Sequence, residues 1–172
     1  MNVMFVLASA VAVLATVMVV TRTNVIHALL YFIVSLMAVA LIFYLLGAPF
    51  VAALEIIIYA GAIMVLFVFA VMMLNPKVDQ DRRGSEWARP AAWAGPAVLT
   101  FILGVELLFA VYWYGSGPAG VTEVSARQVG MSLYGPYLLG AEMVSMILLA
   151  GLVTAYHLGR QPRMINREGG SD

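Results

Sequence analysis

The sequence predicts an all-α, polytopic membrane protein with five transmembrane helices. Three observations predict it. First, 63% of the 172 residues are hydrophobic and only 10% are charged, whereas a soluble domain of this size carries about 25% charged residues. Second, the apolar residues gather into five runs, at roughly 3–21, 26–46, 51–74, 91–114 and 134–158. At about 1.5 Å per residue, each can cross a hydrocarbon core of about 30 Å. Third, the basic residues fall between the runs and are distributed unequally.

The first run, VMFVLASAVAVLATVMVVT, is small and β-branched. A cleaved signal peptide wants a basic start and a short apolar core. This run lacks the one and exceeds the other, so it is expected to be a retained helix. The second run, HALLYFIVSLMAVALIFYLL, follows the polar TRTN. The third, LEIIIYAGAIMVLFVFAVMMLN, is uncharged from Ile56 to Pro76 but opens with a carboxylate, Glu55. The fourth follows Pro90 and is preceded by a polar loop, NPKVDQDRRGSEWARP. The fifth follows a loop with Gly and Ser, GSGPAGVTEVSARQVG. The expectation is one membrane domain over 1–160 and a short tail over 161–172.

Orientation follows from the loop charges. One side carries Arg22, Lys77, Arg82, Arg83, Arg89, Arg160, Arg163 and Arg167; the other carries Arg127 alone. The positive-inside rule then puts the C-terminus in the cytoplasm and the N-terminus outside. Trp87 and Trp93 flank the start of the fourth run and Trp113 its end, where aromatic belts sit. The chain has no cysteine, which excludes disulfides, ordinary iron–sulfur ligation and thiolate metal sites on it. Its formal net charge of zero argues against a nucleic-acid partner.

Three carboxylates fall within the spans: Glu55, Glu106 and Glu142. Ionisable groups at membrane depth are costly and face a bundle interior or water, so each is a candidate proton relay or polar lining. A hydrogen-bonded structural carboxyl is the alternative. Glu55 and Tyr59 are spaced to share a helical face, and a tyrosine hydroxyl can extend a hydrogen-bond chain from an acid. Gly61 between Ala60 and Ala62 permits close helix approach, or marks a π-bulge, a feature frequent at functional sites. On pattern alone, close packing is favoured. Met64, Val65, Phe67 and Phe69 form an apolar collar that would exclude water, or simply contact core and lipid. His27 and His157 each lie near a helix end and are not spaced as a haem pair.

The runs TNVIHALLY (23–31), LEIIIYAGAIMVLFVFAVMMLN (54–75) and GPYLLGAEMVSMILLAGLVTAYHLGR (135–160) closely resemble the J-subunit family of bacterial proton-pumping NADH:quinone oxidoreductase, respiratory complex I. The counterpart is the sixth mitochondrially encoded subunit. The resemblance implies a non-catalytic core subunit of the membrane arm in the bacterial inner membrane. It binds no cofactor itself; FMN, iron–sulfur clusters, NADH and quinone belong to the whole complex. Its implied partners are the quinone-site subunit, the antiporter-like subunits and the lipid bilayer. It also implies a π-bulge around Tyr59 to Gly61, extending towards Val65. The resemblance further implies that the bulge relaxes to α-helix in some states, a change linked to whether a water wire forms between the quinone region and the antiporter-like subunits. Met64, Phe67 and Val68 fall in the corresponding hydrophobic segment. A small membrane subunit of a multi-subunit cation/proton antiporter is the alternative. The loop acids Asp79, Asp81 and Glu86 receive no role.

Overall fold

A computed structural model describes residues 2–74, 90–114 and 123–159 of the chain. The described residues are helices joined by turns, with no strand among them. Helix α1 spans Asn2–Thr21 and α2 spans Val25–Leu45. The third span is composite: α3 (Pro49–Leu54), a π-helical segment (Glu55–Ile63) and α4 (Met64–Leu74). Helix α5 spans Pro90–Tyr114, the short α6 Ala126–Leu133, and α7 Leu138–Gly159. Five of these stretches are long and apolar enough to cross a membrane: Val3–Thr21, Val25–Leu45, Pro49–Met73, Trp93–Tyr112 and Leu138–Gly159. The all-α, five-span expectation therefore holds. Two compact units divide the chain, Met1–Ala126 and Arg127–Asp172.

Local chemistry sets the element ends. Asn24 caps α2, its side-chain oxygen accepting from the Ile26 N–H at 3.0 Å, which satisfies one orphan donor of the first turn. At the other end the Gly47 N–H donates to the Tyr44 carbonyl and the Ala48 N–H to that of Phe43, both at 3.0 Å. This paired closure needs a left-handed residue, and Gly47 supplies it at φ 83°. Pro49 then opens α3 at its first position, where a missing N–H costs nothing. The Gly47 carbonyl accepts from the Val124 N–H at 2.8 Å. Val124 thus lies beside the turn that follows the second span.

Packing in the first unit is centred on α2. Helix α1 runs along it, α5 packs on both, and the third span lies against α2 through all three of its pieces. The seam between α1 and α2 is made by small residues: Ala8, Ala15 and Ala38 are fully buried. In lipid, apolar side chains gain little by leaving one apolar medium for another. Close backbone approach and interhelical hydrogen bonds carry the association instead. Thr16 and Ser35 supply such a bond across the seam, their hydroxyls 2.8 Å apart.

In the second unit, α6 was not anticipated; its residues read as loop. ARQVGMSL is strongly amphipathic, with Ala126, Val129, Gly130 and Leu133 on one face. Eight residues are too short for a periodic signal to stand out beside 20-residue spans. Residues 134–137 form a turn before α7. A Cβ on Gly135 would stand 2.7 Å from the Met131 carbonyl oxygen, so only glycine fits that turn.

Candidate functional site

The third span winds loosely where its sequence is most unusual. From Glu55 to Ile63 the backbone is π-helical. At the far end of the segment the Met64 N–H reaches the Tyr59 carbonyl, five residues back, as well as that of Gly61. Before it, the Glu55 N–H still reaches Val51 in the α pattern. The segment starts four residues before the expected Tyr59 and stops at Ile63, short of Val65. Three consecutive β-branched residues, Ile56 to Ile58, open it, and such residues crowd a tightly wound turn.

Gly61 sits where the π register needs it. A Cβ built there would meet the Ile56 carbonyl oxygen at 3.1 Å, the carbonyl five residues back along the same helix. Among the described residues, no atom of another helix comes within 4 Å of that position. The expected close approach of a neighbouring helix at Gly61 is therefore not what the glycine serves within this chain. It makes room for its own backbone.

Glu55 is partly exposed, Tyr59 is half exposed, and no hydrogen bond joins them. Met64, the first residue past the segment, is buried to 1% exposure. Val65, Phe67 and Phe69 are exposed, and Val68 is partly so. The collar expected of these residues is not closed within this chain: one member points into the bundle and three point out.

Beside the segment lies an apolar cavity of about 370 Å³. Ala52, Ala53 and Ile56 of the third span form one wall, Met37 and Leu41 of α2 another, and Leu103 and Gly104 of α5 a third. The start of the π segment thus borders free space.

The sequence model for NADH-ubiquinone/plastoquinone oxidoreductase chain 6 matches residues 15–158. The chain belongs to that family. Among similar proteins, NADH-quinone oxidoreductase subunit J of Pseudomonas aeruginosa is 57% identical over 161 residues, covering 91% of this chain and 95% of the relative. Subunit J of Escherichia coli (strain K12) is 49% identical over 162 residues, 92% of this chain and 86% of the relative. Subunit J of Buchnera aphidicola from Schizaphis graminum is 38% identical over 163 residues, 95% of this chain and 100% of the relative.

In this chain 6 family member the three carboxylates do not converge on one helix. Glu55 opens the π segment; Glu106 lies on α5 and Glu142 on α7. Glu142 is four residues from Leu138, one turn into its helix. The run expected at 134–158 would put it eight residues in, a turn deeper; residues 134–137 are a turn and not helix. Glu106 is 7% exposed, and neither carboxyl oxygen has a hydrogen-bond partner. His27 packs edge-on to Trp93, ring centroids 6.2 Å apart; it is a packing residue at the end of α2. The acidic loop of Asp79, Asp81 and Glu86, Trp87, and most of the counted basic residues lie outside the described residues.

Sequence reasoning missed two features of this first unit. Tyr31 is buried, with its hydroxyl against Gly95 and Arg22 over its ring at 5.5 Å. The Thr16–Ser35 pair crosses the α1–α2 seam. The spacing of Tyr31 and Ser35, four apart on one helix, was the available signal.

Proposed function

We propose that this chain is the membrane-arm subunit that couples quinone reduction to proton translocation in a proton-pumping NADH:quinone oxidoreductase. The observation that carries the proposal is the π segment Glu55–Ile63 inside a membrane span. The named relatives are subunits of NADH-quinone oxidoreductase, and the same membership is proposed here. The chain sits in the bacterial inner membrane, N-terminus outside and C-terminus in the cytoplasm. Its neighbours are the quinone-site subunit and antiporter-like subunits. It holds no active site; FMN, iron–sulfur clusters, NADH and quinone are handled elsewhere in the complex.

The mechanism is a register switch. In the π register the Met64 N–H bonds to the Tyr59 carbonyl; in the α register it bonds to that of Ala60. Removing the extra residue turns one half of the span by about 100° relative to the other. A sequence neighbour, Ile63 or Val65, then takes the buried place of Met64, and the collar residues Val65, Phe67 and Val68 are re-aimed. Such a collar admits or excludes water depending on which side chains face the path. Glu55 and Tyr59, at the start of the segment, are the polar groups whose connection to that water the switch makes or breaks. The cavity beside Ile56 gives the turning side chains room. Two packings that differ by a few kcal/mol suffice for a switch of this kind.

The experiment is isolation of the complex through a tag on this chain. Co-isolation of NADH- and quinone-linked peripheral proteins is expected. Isolation with cation/proton antiporter subunits alone would overturn the assignment.

A further inference from the structure

Glu106 has no part in the register switch, yet it is the most unusual buried group in the first unit. It lies on the inward face of α5 with Leu103 and Ala110, three residues before and four after it, both buried. Around them close Ala8 and Val11 of α1 and Val34, Ala38 and Leu41 of α2. Both carboxyl oxygens are shut off from solvent and neither has a hydrogen bond. Such a group is rare in a membrane helix because a charge in hydrocarbon is strongly disfavoured, and one that persists marks function.

The surroundings of Glu106 are not uniformly apolar. One turn further along α1, the Ala12 carbonyl accepts from the Ser35 hydroxyl at 3.3 Å and from the Thr16 hydroxyl at 2.8 Å. The two hydroxyls are 2.8 Å apart. One turn before Ser35 on α2 stands the buried Tyr31, beneath Arg22 at the end of the seam. Polar side chains thus recur along the seam from Arg22 through Tyr31 to the Ser35–Thr16 pair, whose shared acceptor, the Ala12 carbonyl, stands one turn from Ala8. A step of four residues is about 6 Å along a helix, a gap that a single bridging water spans. The other titratable groups on the elements around the carboxyl are His27 and Tyr44 of α2 and Tyr112 and Tyr114 of α5; α1 has none.

We propose that Glu106 is a second proton-binding site of this subunit, supplied along the α1–α2 seam by the hydroxyls of Ser35 and Thr16. A proton arriving forms an O–H bond at a Glu106 carboxyl oxygen. The hydroxyl that gave it up takes another from the next group towards Arg22. The return path reverses those steps, and no electron moves. The site is separate from the third span and does not depend on the register switch.

The test uses the assembled complex in native-lipid vesicles, with the redox-triggered infrared difference spectrum recorded in H₂O and D₂O. A carboxylic-acid carbonyl band is expected that shifts in D₂O and disappears in Glu106→Gln. Superimposable spectra of wild type and Glu106→Gln would overturn the proposal, as would a band that fails to shift in D₂O. Ser35→Ala keeps the carboxyl but breaks the relay. It should retain the band and slow its appearance in D₂O at least tenfold; an unchanged rate overturns the supply route. If Glu106→Gln does not assemble, Ser35→Ala decides alone. Gly61→Val should leave this band in place, so failure here and failure of the switch are read separately.

Discussion

Adding a side chain at Gly61 should bias the third span out of its π register by an amount the geometry sets. Alanine is the smallest change. Its gain in helix propensity over glycine comes from restricting the unfolded chain, so it is shared by both helical registers and cancels between them. What does not cancel is the contact with the Ile56 carbonyl oxygen, 3.1 Å from the new Cβ. That is a few tenths of an ångström inside ordinary contact, at the lower end of overpacking costs, about 1 kcal/mol. In the α register the carbonyl four residues back takes the bond and the crowding is relieved. The register equilibrium should therefore move about fivefold towards α in Gly61→Ala. In Gly61→Val the branched side chain adds to the same contact, for about 2–3 kcal/mol and a shift of about 30- to 150-fold. The assay compares NADH oxidation by artificial acceptors with quinone-linked turnover and pumping per assembled complex. The matched control is Ala70→Val, which lies in α4 beyond the π segment. Artificial-acceptor activity should survive in all three, with pumping falling in the order Ala70→Val, Gly61→Ala, Gly61→Val. Normal pumping in both Gly61 variants would refute the reasoning. Equal loss of every activity in all three would assign the effect to assembly.

Three further outcomes follow. Glu55→Gln and Tyr59→Phe nearly preserve shape, so both complexes should assemble while pumping and quinone-linked turnover fall; normal pumping in both would make these residues structural. A reporter fused after Asp172 should be active only as a cytoplasmic marker, and periplasmic activity would reverse the orientation. Gly95→Ala should displace the Tyr31 ring, because its Cβ would collide with the Tyr31 hydroxyl. A flexible ring end can yield, so the loss should be about 1–3 kcal/mol, read as a lower unfolding midpoint in detergent, and suppressed in Tyr31→Phe,Gly95→Ala. An unchanged midpoint in Gly95→Ala would contradict the packing described.

How much of this was legible in the sequence depends on the length scale of each signal. Spans of about 20 residues announce themselves by composition, because a bilayer leaves few alternatives to a helix. Their ends were read to within a few residues, best where a residue enforces the end, as Asn24, Gly47 and Pro49 do. The π segment was different. Its glycine, its β-branched run and its tyrosine were visible, but pattern alone favoured packing at Gly61 over a bulge. The decision came from family resemblance. The reason is physical: a change from four-residue to five-residue hydrogen bonding leaves the composition untouched. It also moves a boundary by residues that read identically in either register, such as Ile56 to Ile58. Burial was the least legible property. Val65, Phe67 and Met64 are equally apolar in sequence, yet only Met64 faces the bundle. In a membrane protein both inside and outside are apolar, so hydrophobicity cannot tell them apart. Glu106 was visible as a buried carboxylate, but its relation to Ser35 and Thr16 required the pairing of α1 with α2 and α5.

The central claim is that the third span exchanges registers, and structures of the assembled enzyme in a resting and a turning-over state test it most directly. The atom to follow is the Met64 amide nitrogen. The account predicts that it bonds to the Tyr59 carbonyl in one state and to the Ala60 carbonyl in the other, with Met64 leaving its buried place in the second. The Tyr59 bond and a buried Met64 in every state would contradict it.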